Sequence, residues 1–407
     1  MNLLAILTEL TPKQRNAVVA SYLGWTLDAF DFFILIFVLR DVIKEFHSDL
    51  SVVSLTVNLT LAMRPLGALL FGLIADRLGR RPTLMVDILF YSVVEFACGF
   101  APSLTALIVL RALYGIAMGG EWGVGASLTM ESIPPRARGI VSGILQAGYP
   151  SGYLLASLLN WTLYSHIGWR GMFMVGALPA LLVLYVRRHV DESPAWQQRE
   201  HRGAFTWRPI VSQWKLFLYV IVLMTAFNFF SHGTQDTYPL FLQKQHNFNV
   251  ATVSSIAVVY NIGAILGGLF FGSLSERIGR KRAIISAALL VLPFIPLWAY
   301  GRSPVSLAFG AFMIQFLVQG AWGVVPVHLN ELSPGDVRGT FPGFTYQLGN
   351  LFASGNLYLQ SVIVERSGGS FSLALASVAA VVAVALAIIT FLGPEARGVS
   401  FVKTVKA

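Results

Sequence analysis

Charged residues are scarce in this sequence. Asp, Glu, Lys and Arg make up only 12% of its 407 residues, whereas soluble domains carry roughly 25%. A soluble chain of this length would fold into about two or three domains, and it would need more charge to cover their surfaces. The charge deficit, together with 55% hydrophobic residues, predicts a protein that is embedded in the lipid bilayer.

Residues and motifs of catalytic and metal sites are also missing. The single cysteine, Cys98, cannot form a disulfide within the chain, and the seven histidines show no spacing typical of metal ligands. The sequence contains no H-E-x-x-H, no G-x-S-x-G and no phosphate-binding glycine loop. We therefore predict no enzyme activity, no cofactor and no bound metal. Without an ATP site, any uphill transport must use an ion gradient.

Long apolar runs, by contrast, fill most of the chain. A helix needs about 20 mostly apolar residues to cross a hydrocarbon core of ~30 Å. Polar and apolar residues do not alternate in these runs, so they predict helices and not the strands of a barrel. We count twelve candidate spans, at 18–40, 52–74, 83–101, 105–130, 139–161, 169–187, 215–238, 252–274, 283–300, 304–328, 339–363 and 371–392.

The net charge of +9 is distributed unevenly along the chain. If the N-terminus is cytoplasmic, 21 Lys and Arg residues fall in or next to cytoplasmic segments and six fall on the opposite side. This asymmetry follows the positive-inside rule, so we predict a multi-pass protein of the plasma (inner) membrane with both termini in the cytoplasm. A nucleic-acid partner would require a basic face with base-stacking aromatics outside the membrane, and the sequence predicts none.

The chain contains an internal repeat with an offset of 200 residues. GLIADRLGRR at 72–81 returns as GSLSERIGRK at 272–281, and ESIPPRARG from Glu131 returns as ELSPGDVRG from Glu331. Such matches in register predict a duplicated unit, here of six helices. Because six is an even number, both copies have the same orientation in the membrane, and a substrate would bind between them near the midplane.

The repeat divides the chain into three parts. We predict an N-terminal six-helix bundle over 1–187, a basic cytoplasmic linker over 188–214 and a C-terminal six-helix bundle over 215–407.

The seventh apolar run carries the polar stretch NFFSHGTQD at its centre. Asn228, His232 and Asp236 recur every four residues, which places them on one helix face. An ionisable group at mid-bilayer costs on the order of 2.5–3.5 kcal/mol, so it faces the protein interior or water. We predict that Asn228 and His232 contact substrate and that Asp236 and His232 share or pass a proton. The alternative is a polar network that only joins two helices.

Acidic residues also lie inside the first and fourth runs. The offset of 200 places Asn228 on Asp28 and Ser231 on Asp31, so we expect both clusters to meet in one central cavity. Two neighbouring carboxylates do not both ionise readily, which makes at least one a candidate proton carrier. Glu121, in GGEWG, is a further candidate. The alternative for all three acids is a structural hydrogen bond or ion pair within the membrane.

Arg64 lies in the middle of the second run, in LAMRPLGALLFG. Its guanidinium stays charged and requires an anionic partner. That partner is an internal acid (Asp28, Asp31 or Glu121), a substrate carboxylate held through a fork of two hydrogen bonds, or each in turn.

Neutral polar side chains occur at matching positions of the fifth and eleventh runs. Gln347 and Asn350 are three residues apart, and the equivalent face of the fifth run, at an offset of 201, carries Gln146 and Tyr149. Such groups orient a small polar ligand in a binding site. The alternative is hydrogen bonding between helices.

The repeated loop motif places charges of both signs at the cytoplasmic helix ends. These charges can pair when the inner side is shut and separate when it opens, which predicts a gate and not a binding site. The predicted gate residues are Asp76, Arg77, Arg80, Arg81, Glu276, Arg277, Arg280 and Lys281.

GLIADRLGRR and its repeat resemble the loop signature of the major facilitator superfamily. RALYGIAMGG from Arg111, GWR from Gly168, DESPAW from Asp191 and GPEARG from Gly393 resemble further marks of that family. The resemblance covers essentially the whole chain. It implies an all-α integral membrane fold of twelve transmembrane helices in two pseudo-symmetric bundles, and transport by alternating access.

Within that family, NFFSHGTQD is similar to a signature of the lactate/pyruvate:proton symporters of the sialate:proton symporter group. The signature has a threonine at the position that Leu240 occupies in this chain. Gln347-x-x-Asn350 resembles the substrate-facing pair of these monocarboxylate carriers, whereas LDAFDF and GGEWG are shared with sialic-acid carriers. The residues that fit the signature are Asn228, Ser231, His232, Thr234, Gln235 and Asp236.

The resemblance implies symport of protons with a small organic anion, a monocarboxylate of the lactate or pyruvate type. A monomer suffices for this mechanism, so we expect a monomer. Two alternatives stay open. The same scaffold could carry sialic acid or another larger organic acid, or it could be a membrane receptor that binds a metabolite without moving it.

Overall fold

The computed structural model describes residues 8–199 and 211–401. Those residues form helices joined by short loops, and they include no β-strand. The predicted linker 188–214 is described up to residue 199 and again from residue 211, so its central part lies outside the described residues.

Six helical spans form the N-terminal half. The first four are α1 (Pro12–Glu45), α2 (Leu55–Leu78), α3 (Arg80–Cys98) and α4 (Leu104–Ser132). Span α5 consists of Arg138–Gln146 and the first part of Gly148–Val175. Gly168 interrupts the latter helix with φ 63° and ψ −176°, a conformation that suits glycine. The chain turns there, and α6 consists of residues 169–175 and Ala180–His189.

The C-terminal half repeats this arrangement, with more breaks in its helices. Its spans are α7 (Trp214–Gln235 and Tyr238–Lys244), α8 (Val250–Ile278), α9 (Arg280–Leu290 and Ile295–Tyr300), α10 (Pro304–Trp322 and Val325–Leu332), α11 (Phe341–Ala353 and Asn356–Arg366) and α12 (Phe371–Leu392).

Length and apolar composition alone identify eight membrane-spanning helices among the described residues, and a ninth if the bent pair of α5 and α6 is one span. The other crossings have features that such a test rejects. Helix α3 carries Arg80, Arg81, Asp87 and Glu95, and α11 is broken after Ala353. With α5 and α6 separated at Gly168, the twelve helices match the twelve predicted spans.

Polar caps start many of the helices at the membrane surface. Before α1, the Thr11 hydroxyl accepts a hydrogen bond from the Gln14 N–H, and the Gln14 side chain accepts one from the Thr11 N–H. Such a capping box satisfies two backbone donors that the helix itself leaves free. The side chains of Ser103, Asn249, Ser303 and Ser370 cap later helices in a related way.

Glycines allow two helix pairs to approach closely. A Cβ atom built on Gly67 of α2 would overlap the carbonyl group of Ile116 in α4, and Gly267 of α8 meets Phe316 of α10 in the same way. Small residues at such crossings let helix backbones touch within a membrane protein. The contacts are related by the offset of 200 residues, so the duplication extends to the packing inside each half.

This packing predicts a stability effect. We expect Gly67→Ala to lower the apparent melting temperature in detergent by about 3–10 °C, because overpacking costs about 1–3 kcal/mol. Gly355→Ala is the control, since no atom lies within 4 Å of a Cβ at that position and its φ is −72°. Thermal unfolding followed by intrinsic fluorescence compares the variants. An unchanged melting temperature for Gly67→Ala would contradict the close contact.

Candidate functional site

A cavity of about 510 Å³ lies between the two halves. Helices α1, α2 and α5 supply one wall, and α7, α8, α10 and α11 supply the other. Sites that enclose drug-sized ligands measure ~300–1,000 Å³, so the cavity is large enough for an organic metabolite. We call the end of the molecule that carries the described chain ends the termini side, and the opposite end the far side.

The cavity brings together most of the residues predicted to bind substrate. They come from four helices and both halves, as a site between two repeats requires. The predicted residues in the cavity wall are Arg64, Gln146, Tyr149, Asn228, His232, Asp236 and Asn350.

Arg64 is the cation of this wall. Its side chain is 4% exposed, and its Nε and Nη2 atoms have no hydrogen-bond partner among the described residues. The Tyr346 ring centroid lies 5.8 Å from the Arg64 Cζ atom. No described carboxylate lies within ion-pair distance (4.0 Å) of Arg64, so the internal partner that the sequence allowed is absent in this state. A buried guanidinium with free donors can hold a carboxylate through two hydrogen bonds.

A hydrogen-bonded chain runs from α7 to α11 along the cavity. Nδ1 of His232 lies 3.1 Å from Oδ2 of Asp236, and its Nε2 lies 3.0 Å from Oδ1 of Asn350. Oxygen atoms therefore face both ring nitrogens, and the imidazole can donate a hydrogen bond from either one. The His232 and Asp236 side chains are 34% and 36% exposed, so water in the cavity can reach this pair. The cavity therefore contains a water-accessible carboxyl–imidazole pair.

Gln347 lies behind this chain instead of in the cavity wall. It is fully buried, and its Oε1 accepts a hydrogen bond of 3.5 Å from the Asn350 side chain. Gln347 therefore does not line the cavity in this state, and its contact with substrate stays a prediction. Its geometry allows Gln347 to orient the Asn350 amide toward His232.

The two aspartates of α1 do not reach the cavity, contrary to the sequence prediction. Asp28 and Asp31 are fully buried within the N-terminal half, where the Tyr114 hydroxyl of α4 lies 3.2 Å from Asp28 Oδ1. The cavity face of α1 carries Trp25 and Phe33 instead. Since an α-helix turns by ~100° per residue, positions 28 and 31 lie roughly 100–160° from the centre of that face.

Glu121 is likewise separated from the cavity. It is fully buried, and neither carboxylate oxygen has a hydrogen-bond partner among the described residues. It lies in a small separate pocket with Ser21 and Trp25, and Trp25 also forms part of the main cavity wall. The ion pair with Arg64, one of the alternatives that the sequence left open, is absent in this state. The arginine of α4, Arg111, forms its ion pair with Glu95 of α3, and both side chains are fully buried.

Two predicted gate residues join the halves on the termini side. Asp76 accepts hydrogen bonds from the N–H groups of Gly339 (2.9 Å) and Thr340 (3.0 Å). At the equivalent place, Glu276 accepts a 2.6 Å hydrogen bond from the Gly139 N–H. Each acid of the loop motif therefore binds backbone of the other half, and the termini side is closed.

The predicted gate cations pair mainly inside their own half. Arg80 and Arg280 form buried ion pairs with Glu131 (3.1 Å) and Glu331 (2.9 Å). Arg81 and Lys281 donate to the carbonyl groups at Arg187 and Gly393, each at 2.5 Å. These four cations therefore contact groups of their own half, and their role in a gate stays a prediction. Arg77 is exposed. The backbone carbonyl of Arg277 accepts a hydrogen bond from the side chain of Arg397.

The sequence reasoning missed two arginines that form ion pairs between the halves. Arg338 lies 3.5 Å from Glu131, and Arg138 lies 3.8 Å from Glu331. All four residues belong to the repeated stretches ESIPPRARG and ELSPGDVRG, so the repeat itself was the signal.

Aromatic and amide side chains of the cavity were missed as well. Gln319 of α10 donates a 3.2 Å hydrogen bond to the Ser231 hydroxyl, and it follows Gln315 by four residues, a spacing that marks one helix face. The aromatic residues gave no comparable signal, because aromatics occur throughout the spans. The missed aromatic residues of the wall include Trp25, Phe33, Tyr153, Tyr260, Trp322 and Tyr346.

Comparisons with known proteins agree with this architecture. The family model described as Major Facilitator Superfamily matches residues 17–249 and 237–406. The sialic acid transporter NanX of Escherichia coli (strain K12) is 29% identical over 351 residues, which cover 84% of this chain and 85% of that protein. A putative metabolite transport protein of Haemophilus influenzae is 30% identical, over 94% of this chain and 97% of that protein.

A solved structure shows the same fold. The proton:xylose symporter XylE superposes with a TM-score of 0.76 over 95% of this chain and 97% of that chain, at 17% sequence identity. The predicted all-α membrane fold and the family resemblance are confirmed, and the protein is a multi-pass transporter and not an enzyme. The chain belongs to the major facilitator superfamily.

Proposed function

We propose that this transporter moves a small organic monocarboxylate, of the lactate or pyruvate type, together with protons. One observation carries the proposal: a single cavity holds both the unpartnered guanidinium of Arg64 and the hydrogen-bonded pair of His232 and Asp236.

Arg64 binds the substrate carboxylate in this scheme. Its free Nε and Nη2 donors match the two oxygens of a carboxylate. Asn228, Asn350, Tyr149 and Gln146 lie in the same wall and hydrogen-bond the remaining polar groups of the substrate.

The His232–Asp236 pair carries the coupled proton. An anion that enters a negative-inside cell works against the membrane potential, at ~2.3 kcal/mol per charge per 100 mV. A proton moved with the anion makes the step electroneutral. Loading both also neutralises the cavity before the halves rock, whereas a single buried charge would oppose closure. The buried acids Asp28, Asp31 and Glu121 are a second candidate set for the proton.

The closed termini side and the partly exposed His232 and Asp236 correspond to one end state of an alternating-access cycle. We assign the termini side to the cytoplasm on the distribution of Lys and Arg, in the plasma (inner) membrane. The cavity lies wholly within one chain, so a monomer is sufficient for the cycle.

Uptake by reconstituted protein tests the proposal. With labelled lactate outside proteoliposomes, we expect an inward pH gradient of about one unit to raise the accumulation ratio up to about tenfold at one proton per anion, since a tenfold ratio corresponds to ~1.4 kcal/mol. Valinomycin and equal potassium on both sides hold the potential at zero, and protein-free vesicles give the background. Lactate uptake that does not respond to the pH gradient would contradict coupling.

A larger organic acid is the second candidate substrate. Two observations favour it: the cavity volume of about 510 Å³ and the similarity to a protein named as a sialic acid transporter. Competition of labelled lactate uptake by sialic acid and by unlabelled lactate decides between them. Inhibition by lactate alone supports the small acid, whereas stronger inhibition by sialic acid supports the larger one.

A further inference from the structure

The last described residues of the chain lie across the closed termini side. After α12 ends at Leu392, the chain turns back over the loops of both halves and reaches Phe401. We call residues 397–401 the tail segment.

Phe401 lies between two arginines from different halves. The Cζ atom of Arg138 lies 3.6 Å from the centroid of the Phe401 ring, and that of Arg338 lies 3.9 Å from it. Arg138 begins α5 in the N-terminal half, and Arg338 lies just before α11 in the C-terminal half. One aromatic ring therefore makes a cation–π contact with each half.

These two arginines also form ion pairs with glutamates of the opposite half. Arg138 faces Glu331 at 3.8 Å, and Arg338 faces Glu131 at 3.5 Å. Closing the halves brings two guanidinium groups near each other, which costs Coulomb energy. The glutamates offset part of that cost, and the π faces of Phe401 offer each guanidinium a further site of negative potential.

Backbone hydrogen bonds hold the rest of the tail segment. Arg138 Nη1 donates to the Val399 carbonyl at 2.6 Å, and the Gly398 N–H donates to Glu331 at 3.2 Å. Arg397 donates to the carbonyl groups at Glu276 and Arg277. The segment thus contacts both halves. Within it, only the side chain of Phe401 contacts an arginine of each half.

We propose that the cleft between Arg138 and Arg338 is a binding site for the chain's own tail segment, and that Phe401 in this cleft holds the termini side closed. When the halves separate on this side, the ring can stay on one arginine but not on both. Release of Phe401 is therefore part of opening the cavity toward the termini side. This site is distinct from the cavity, and the proposal does not depend on which substrate the protein carries.

Pulsed EPR distances between the halves test this proposal. Spin labels attached to Leu78→Cys and Arg282→Cys, two exposed positions at the termini-side ends of α2 and α9, report how far the halves are apart. Cys98 is buried and stays unlabelled. We expect Phe401→Ala to raise the ratio of open to closed populations roughly 5–30-fold in the full-length, substrate-free protein.

Two variants separate the ring contact from a general disturbance of the tail. Phe401→Tyr keeps the aromatic face, so we expect the same distribution of distances between the two labels as in the labelled protein with Phe401. Val399→Ala leaves the backbone carbonyl that Arg138 binds and removes only a side chain that is 42% exposed, so we expect the same result. An unchanged distribution in Phe401→Ala overturns the proposal. A Phe401→Tyr or Val399→Ala protein that is as open as Phe401→Ala overturns it as well.

Discussion

Arg64→Gln is expected to lower carboxylate uptake about 150- to 5,000-fold, because removing one partner of a buried ion pair costs about 3–5 kcal/mol. In the proposed complex the substrate carboxylate is the partner, and no lysine or second arginine lines the cavity in the described part of the chain. Initial rates of uptake at low substrate concentration give the size of the loss. Substrate-dependent thermal stabilisation in detergent should disappear in parallel.

The planar arrangement of the guanidinium donors leads to a second prediction, for a substitution with a smaller effect. Arg64→Lys keeps the charge but loses the planar pair of donors, so we expect a loss of about tenfold, near the ~1.4 kcal/mol that a tenfold change represents. Arg136→Gln is the matched control, because this arginine lies on the termini side with a side chain that is 64% exposed. If Arg64→Gln protein folds and still transports at the rate of the control, Arg64 does not bind the substrate.

Asp236→Asn is expected to abolish uphill accumulation. The amide keeps the size of the side chain and can still hydrogen-bond His232, but it cannot exchange a proton at neutral pH. At an imposed pH gradient the inside-to-outside ratio of labelled substrate should fall to about one, the value that an uncoupled carrier reaches without a potential. Exchange of labelled for unlabelled substrate, which needs no net proton movement, should continue.

Asp336→Asn is the control for this change, since Asp336 lies on the termini side with a side chain that is 69% exposed. It should concentrate substrate as the unsubstituted protein does. If Asp236→Asn protein also concentrates substrate, Asp236 is not the essential proton site, and the buried acids Asp28, Asp31 and Glu121 become the candidates. Loss of both accumulation and exchange would instead indicate that Asp236 is needed for substrate binding.

The polar stretch of α7 could be predicted from the sequence because its signal is local. Asn228, His232 and Asp236 are spaced by one helical turn and lie in a run that is otherwise apolar. The cost of placing ionisable groups in lipid excludes the membrane-facing side for such a stripe, so it had to face the protein interior or the cavity. The same reasoning placed Arg64 correctly in the cavity wall.

The aspartates of α1 show where that reasoning stops. An ionisable side chain avoids contact with lipid equally well whether it faces the cavity or packs inside a six-helix half. The offset of 200 fixed the depth of Asp28 and Asp31 but not the rotation of α1, and the structure turns both toward α4. Rotation is set by packing against neighbours such as Tyr114, which lies 86 residues from Asp28 in sequence.

The sequence by itself determined the twelve spans, the duplication and the acid–imidazole stripe of α7. The length of an apolar run, the offset between repeats and the helical period can all be read along the linear sequence. Only the tertiary structure decided that Arg64 has no internal ion pair, that Gln347 supports Asn350 from behind and that Phe401 bridges Arg138 and Arg338. Each of these depends on how distant helices are rotated and how closely they approach. No local pattern encodes that information, since many helix rotations hide the same polar groups from lipid at the same cost.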